Sequence, residues 1–140
     1  MAEPGGVVLD SSAVLALLLE EPGAAHVEAL LRAENPRMAS VNAAEVVDVM
    51  VRVYRGEPDA VVSRVADLLS SAVRAVETSF ELSARAGELR ARLFDRRARR
   101  LSMADCYVLA LAEPRGSVAT TDAVLRDAAE ALGLQVVPLG

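Results

Sequence analysis

The feature that most constrains this chain is an alternation. Short runs rich in Val and small apolar residues recur along it, and stretches with helical periodicity separate them. Strands this short, joined by helices, pair in parallel, because a helical crossover returns the chain to the same end of the sheet. Five runs read as strands: GVVLD (6–10), MASV (38–41), RAVET (74–78), SVATT (117–121) and QVVPL (135–139), with Pro138 marking an edge or a strand end. Helices are expected over AVLALLLEE (13–21), with Ser11 and Ser12 as caps, and over 24–33, 42–56, 57–72, 80–97 and 122–133. A further helix takes in LSMADCYVLAL (101–111) and ends near Pro114-Arg115-Gly116. The expected fold class is α/β, a parallel sheet with helices on both faces. The length of 140 residues suits a single domain over 1–140.

Composition narrows the chemistry. Hydrophobic residues make up 53% of the chain but aromatic residues only 3%, so the core must be aliphatic. The formal net charge of −5 argues against binding nucleic acid through the whole surface; any such binding has to be local or helped by cations. The single cysteine, Cys106, permits no internal disulfide and is expected to pack as a small apolar residue. The longest apolar run, AVLALLL at 13–19, is too short for a bilayer, and no signal peptide is apparent. The expectation is a soluble, cytoplasmic protein with no membrane partner.

In an open parallel sheet, ligands bind beyond the carboxyl ends of the strands. Three acidic residues are placed there by connectivity. Asp10 closes the first strand, Glu45 lies in the helix after the second, and Asp122 directly follows SVATT. Asp105 joins them only if the helix before it runs back up the sheet. Each has a local reading too. Asp105 has capping-box spacing from Ser102, Asp122 suits an N-cap, and Glu45 suits a helix dipole in a first turn. As a set, four carboxylates repel and raise one another's pKa unless a cation is present. Hard oxygen donors favour Mg²⁺ or Mn²⁺. Zinc lacks support, since His26 is the only histidine and has ordinary surface spacing.

The segments VLDSSAVLALLLEEPG (8–23), SVNAAEVVDVM (40–50), LSMADCYVLALA (101–112) and VATTDAVLRDAAEALGLQVVPL (118–139) carry acids in the order Asp, Glu, Asp, Asp. With these flanks, the chain resembles the PIN-domain family and, within it, the VapC-type ribonuclease toxins of toxin–antitoxin pairs. The resemblance implies a three-layer α/β/α sandwich around a parallel sheet of four to five strands. It implies a metal-dependent endoribonuclease whose catalytic and metal-binding quartet is Asp10, Glu45, Asp105 and Asp122, with Mg²⁺ or Mn²⁺ as cofactor. Ser11 or Ser12 and Thr120 or Thr121 would orient those carboxylates. A homodimer, an antitoxin partner and an RNA substrate are implied with it. The alternative is a PIN-like domain without a toxin role, either an RNA-processing nuclease or a degenerate protein-binding module. An aspartyl-phosphate enzyme built on Asp10 is disfavoured: Ser12 stands where a second Asp is wanted, and the chain has no Lys.

Other residues have competing readings. Asn42 either supports the carboxylates or caps its helix, and the cap is the preferred reading. The run containing Arg96, Arg97, Arg99 and Arg100 either draws RNA phosphate towards the acids or is a solvated helix end. Asp48 and Arg52 read as a surface pair, and Asp127 as a surface acid. Apolar residues on the helices at 24–33 and 42–54 could supply a dimer or antitoxin groove, or could equally be core.

Overall fold

A computed structural model describes residues 6–139. Its elements are β1 (Val7–Leu9), α1 (Ser11–Leu18), α2 (Ala24–Ala33), β2 (Arg37–Ala39), α3 (Ser40–Arg52), α4 (Pro58–Ser71), β3 (Arg74–Val76), α5 (Phe80–Leu93), α6 (Met103–Ala112), β4 (Ser117–Ala119), α7 (Ala123–Ala131) and β5 (Gln135–Val137). The strands form one sheet in the order β3-β2-β1-β4-β5, parallel throughout. In register, Val8 lies opposite Val118, and Val118 opposite Val136.

The strands' period of two divides the core. Val8 and Val118 face one helical layer and pack with Leu89, Leu109 and Leu125 of α5, α6 and α7. Val7, Leu9 and Met38 face the other and pack with Val14, Val27 and Val46 of α1, α2 and α3. Both faces of β1 are therefore covered, which is why its run is continuously apolar rather than alternating. The α/β/α sandwich expected from the sequence is the one observed. Cys106 is fully buried in the first layer.

α6 lies across β2, β1 and β4 and runs antiparallel to α5. Arg85 of α5 donates to Glu113 beyond the end of α6 (2.7 Å), Tyr107 to Ser83 (2.8 Å), and Arg90 to the Leu101 carbonyl (3.1 Å). The α5 helix thus does run back up, and the first turn of α6 emerges at its far end. Gly116 is where the chain turns from α6 into β4. A Cβ there would stand 2.5 Å from the Ala112 carbonyl oxygen, so only glycine fits the approach.

Strands and helices are mostly shorter than the sequence reading, with β3, β4 and β5 ending at Val76, Ala119 and Val137, α1 at Leu18 and α3 at Arg52, and three boundaries bear on the site. β2 stops at Ala39, so Val41 belongs to α3, not to a strand over 38–41. α1 begins at Ser11 and is capped by Asp10, not by Ser11 or Ser12. α5 ends at Leu93 rather than at residue 97. The Asp95 carboxylate accepts the backbone N–H groups of Arg97 and Ala98, both at 2.8 Å, and this turn outcompetes another helical turn. The arginine run is consequently a tight loop closed by paired Asp95 and Arg99 backbones.

Candidate active site

Asp10 follows β1 directly and is 2% exposed. Its backbone is extended and its Oδ1 accepts the Ala13 N–H at 2.9 Å, closing the start of α1. The Ser12 hydroxyl lies 2.7 and 2.9 Å from the two carboxylate oxygens, and the Thr120 hydroxyl donates to Oδ2. Ser12 in turn accepts the Thr121 N–H (3.0 Å), and Thr120 accepts the Asp122 N–H (2.9 Å). The ends of β1 and β4 are thereby laced together through one carboxylate. Burial pushes Asp10 up to about 6, against the lowering effect of these hydrogen bonds.

Asp122 is the N-cap of α7, with Oδ1 accepting from Val124 (2.8 Å) and Leu125 (3.3 Å). Asp105 completes the capping box expected from its spacing. Its Oδ2 accepts the Ser102 N–H, and the Ser102 hydroxyl accepts the Asp105 N–H, both at 3.0 Å. In both residues the other carboxylate oxygen accepts no hydrogen bond from a described residue. Glu45 is the sixth residue of α3, not a first-turn acid, so the helix dipole does not account for it. Its Oε1 accepts from the Asn42 amide at 3.2 Å.

The four acids share one electrostatic neighbourhood with Asp105 at its centre. Burial raises the pKa of both Asp105 and Glu45. The charge of Asp105 adds to the rise at Asp10 and at Glu45, and that of Asp122 adds to the rise at Asp105. Among the described residues, no three acidic, His or Cys side chains close into metal-ligating geometry. The donor set nevertheless fits a hard divalent cation in kind. It is all oxygen, Asp10, Glu45 and Asp105 are desolvated enough to raise their pKa values, and Glu45, Asp105 and Asp122 each leave one carboxylate oxygen without a hydrogen-bond donor among the described residues.

Asn42 is the correction that matters most. It is fully buried inside the first turn of α3, so it does not cap the helix; Ala39 occupies the cap position without a side-chain bond. Its Nδ2 reaches both Glu45 and, at 3.2 Å, the carbonyl of Ala104, the residue before Asp105. A polar residue three before an acid was the only sequence signal, and that spacing is equally a capping pattern. Of the other supporting residues, Ser12 and Thr120 contact Asp10 directly. Thr121 contributes its backbone N–H, and the Ser11 hydroxyl lowers the Glu45 pKa.

Arg96, Arg97 and Arg100 are exposed, whereas Arg99 is committed, pairing with Asp127 at 3.0 Å and donating to the Leu93 carbonyl. Asp127 is a surface acid, as expected, and Asp48 pairs with Arg52 at 2.9 Å.

The PIN domain model matches residues 7–131. Solved structures share the fold at low identity. VapC20 of Mycobacterium tuberculosis, described as a sarcin-ricin loop-cleaving toxin, is 20% identical with a TM-score of 0.69, over 87% of this chain and 94% of that one. VapBC2 of Rickettsia felis, bound to a DNA fragment from its promoter, is 16% identical with a TM-score of 0.69, over 94% and 98%. VapBC-1 of nontypeable Haemophilus influenzae is 16% identical with a TM-score of 0.66, over 95% and 97%. No curated protein matches the chain by sequence. The match to the family model spans nearly all of the described residues, and the parallel sheet agrees with it: this chain belongs to the PIN domain family.

Proposed function

We propose that the protein is a metal-dependent endoribonuclease and the toxin of a type II toxin–antitoxin pair, acting in the cytoplasm. The observation that carries this reading is the gathering of four carboxylates in one electrostatic neighbourhood of a PIN fold. Asp10, Glu45, Asp105 and Asp122 would hold Mg²⁺ or Mn²⁺. When bound, the ion supplies Lewis-acid and charge-neutralising chemistry at a phosphodiester. Ser12 and Thr120 hold the Asp10 carboxylate in one orientation, and the capping box does the same for Asp105. Arg96, Arg97 and Arg100 give an acidic protein a local positive surface for RNA phosphate. Similarity to VapC20 and to the VapBC complexes supports the toxin role and an antitoxin partner, and a homodimer is proposed from the resemblance to VapC-type toxins.

The test is cleavage of RNA by the purified protein with Mn²⁺ or Mg²⁺, comparing wild type with Asp10→Asn. Cleavage by the wild type alone supports the assignment, and equal cleavage by both overturns it. The competing reading is a PIN domain that only binds protein. It draws on the absence of three acids in ligating geometry among the described residues. Calorimetric titration with Mn²⁺ separates the two, because a pure binding module shows no Asp105-dependent uptake.

A further inference from the structure

We infer that Asn42 is a positioning residue that sets the spacing between Glu45 and Asp105, an inference that rests on the nuclease reading above. Three observations carry it. Asn42 is fully buried, in a helix face otherwise given to apolar packing by Val46 and Met50. Its amide nitrogen spends both protons at the site, one on Glu45 Oε1 and one on the Ala104 carbonyl. Its Oδ1 has no hydrogen-bond partner among the described residues.

A buried amide with one unsatisfied oxygen is a poor choice for stability alone. Leaving such an acceptor unpaired costs about 1–3 kcal/mol, and an aliphatic residue would avoid it. What the amide does here is tie α3 to the first turn of α6. Glu45 sits on one of those helices and Asp105 on the other, and their like charges repel. The Asn42 bridge opposes that repulsion from below, holding one carboxylate directly and the other through the backbone that carries it. The separation of the two acids is then set before any cation arrives. No other side chain bonds both Glu45 and the first turn of α6 among the described residues. Ser102 holds Asp105 only to its own helix.

The test compares wild type with Asn42→Ala and Asn42→Asp. The first removes both donors; the second keeps the shape but presents oxygen to Glu45. Val65→Ala, on the buried face of α4 and outside the acids and their hydrogen-bond partners, serves as a control for loss of stability alone. Mn²⁺ affinity is measured by calorimetry, kcat and KM on RNA by cleavage, and folding by thermal melting. Positioning predicts a loss of about 10- to 100-fold in Mn²⁺ affinity and in kcat for both Asn42 variants, with KM for RNA near wild type. Val65→Ala should melt early yet bind Mn²⁺ as wild type does. If Asn42→Ala binds Mn²⁺ and turns over like wild type, or if Val65→Ala loses Mn²⁺ affinity in the same proportion, the positioning role is overturned and the nuclease reading stands. If the wild type itself neither binds Mn²⁺ nor cleaves RNA, both fall.

Discussion

The acidic edge has two halves built on opposite plans. On the β1–β4 side, Asp10 is sealed: both oxygens accept hydrogen bonds from an amide and two hydroxyls, and only 2% of the residue is exposed. On the α3–α6 side, Glu45 and Asp105 are half-buried, and each is gripped through one oxygen. The first half is a fixed strut between two central strands. The second joins two helices, α3 and α6, through Asn42. A carboxylate locked from all sides gives orientation, whereas one held by a single oxygen leaves a lone pair facing the site. A cation site needs both kinds, since rigid donors set its place and freer donors complete its shell.

The largest expected effect comes from breaking the sealed half. Asp10→Asn should lower RNA cleavage by about 10³-fold or more, because several kcal/mol of charge stabilisation would be lost. The same substitution should stabilise the apo fold. Asp10 has its pKa raised to about 6 by burial, so the folded protein holds a proton that the unfolded chain has already released. Stability therefore falls as pH rises from about 4 to about 6, and the loss is complete above that window. An Asn carries no such penalty. At pH 7 the variant should gain up to about 3 kcal/mol over wild type, and the gap should close below pH 4. Thermal melts of both proteins across pH 3–8, without metal, measure it. A wild-type melt that does not converge with that of Asp10→Asn at low pH would show that burial of the charge is not the governing effect.

Next in size is the lacing within the β1–β4 half. Thr120→Val keeps the shape but removes a donor to Asp10 and the acceptor of the Asp122 N–H. The fold should lose about 1–3 kcal/mol, and activity about 10- to 100-fold. Excess Mn²⁺ sharpens the contrast. A ligand bound only by the folded state at 100 times its Kd stabilises by about 2.7 kcal/mol, so the wild-type melt should rise with Mn²⁺ and that of Asp10→Asn should not.

Much of this architecture could be read from residue order, and the reason is physical. A strand buried on both faces must be a short apolar run, so VVL and SVA announced β1 and β4 and fixed where Asp10 and Asp122 would fall. Capping is also local, and the Ser102–Asp105 box formed as its spacing implied. That box does not compete with a site role, because it uses only one Asp105 oxygen. What the sequence hid depends on tertiary burial. Asn42 has the same local pattern whether it caps α3 or is swallowed beneath it; the decision lay with Ala104, 62 residues on. The end of α5 was missed for a related reason. LRARLFDRRARR continues helical periodicity, and only the Asp95 turn, closed by Arg99, stops it.

The smallest expected effect lies outside both halves, in the arginine loop, whose charge is opposite to theirs. Arg99 pairs with Asp127, so its guanidinium is partly spent on the fold, and removing an exposed pair of this kind changes stability by only about 0.2–1 kcal/mol. Arg96, Arg97 and Arg100 make no ion pair with a described residue and are free to meet phosphate. Replacing those three by Ala should raise KM for RNA with little change in kcat. The dependence of log affinity on log salt should also become shallower, by about 0.7 for each single-strand phosphate that an arginine no longer neutralises. Arg99→Ala alone should leave that slope near wild type. Binding to a non-cleavable RNA at several salt concentrations distinguishes the two. An unchanged slope in the triple variant would assign the loop to the fold and leave RNA attraction to other surfaces.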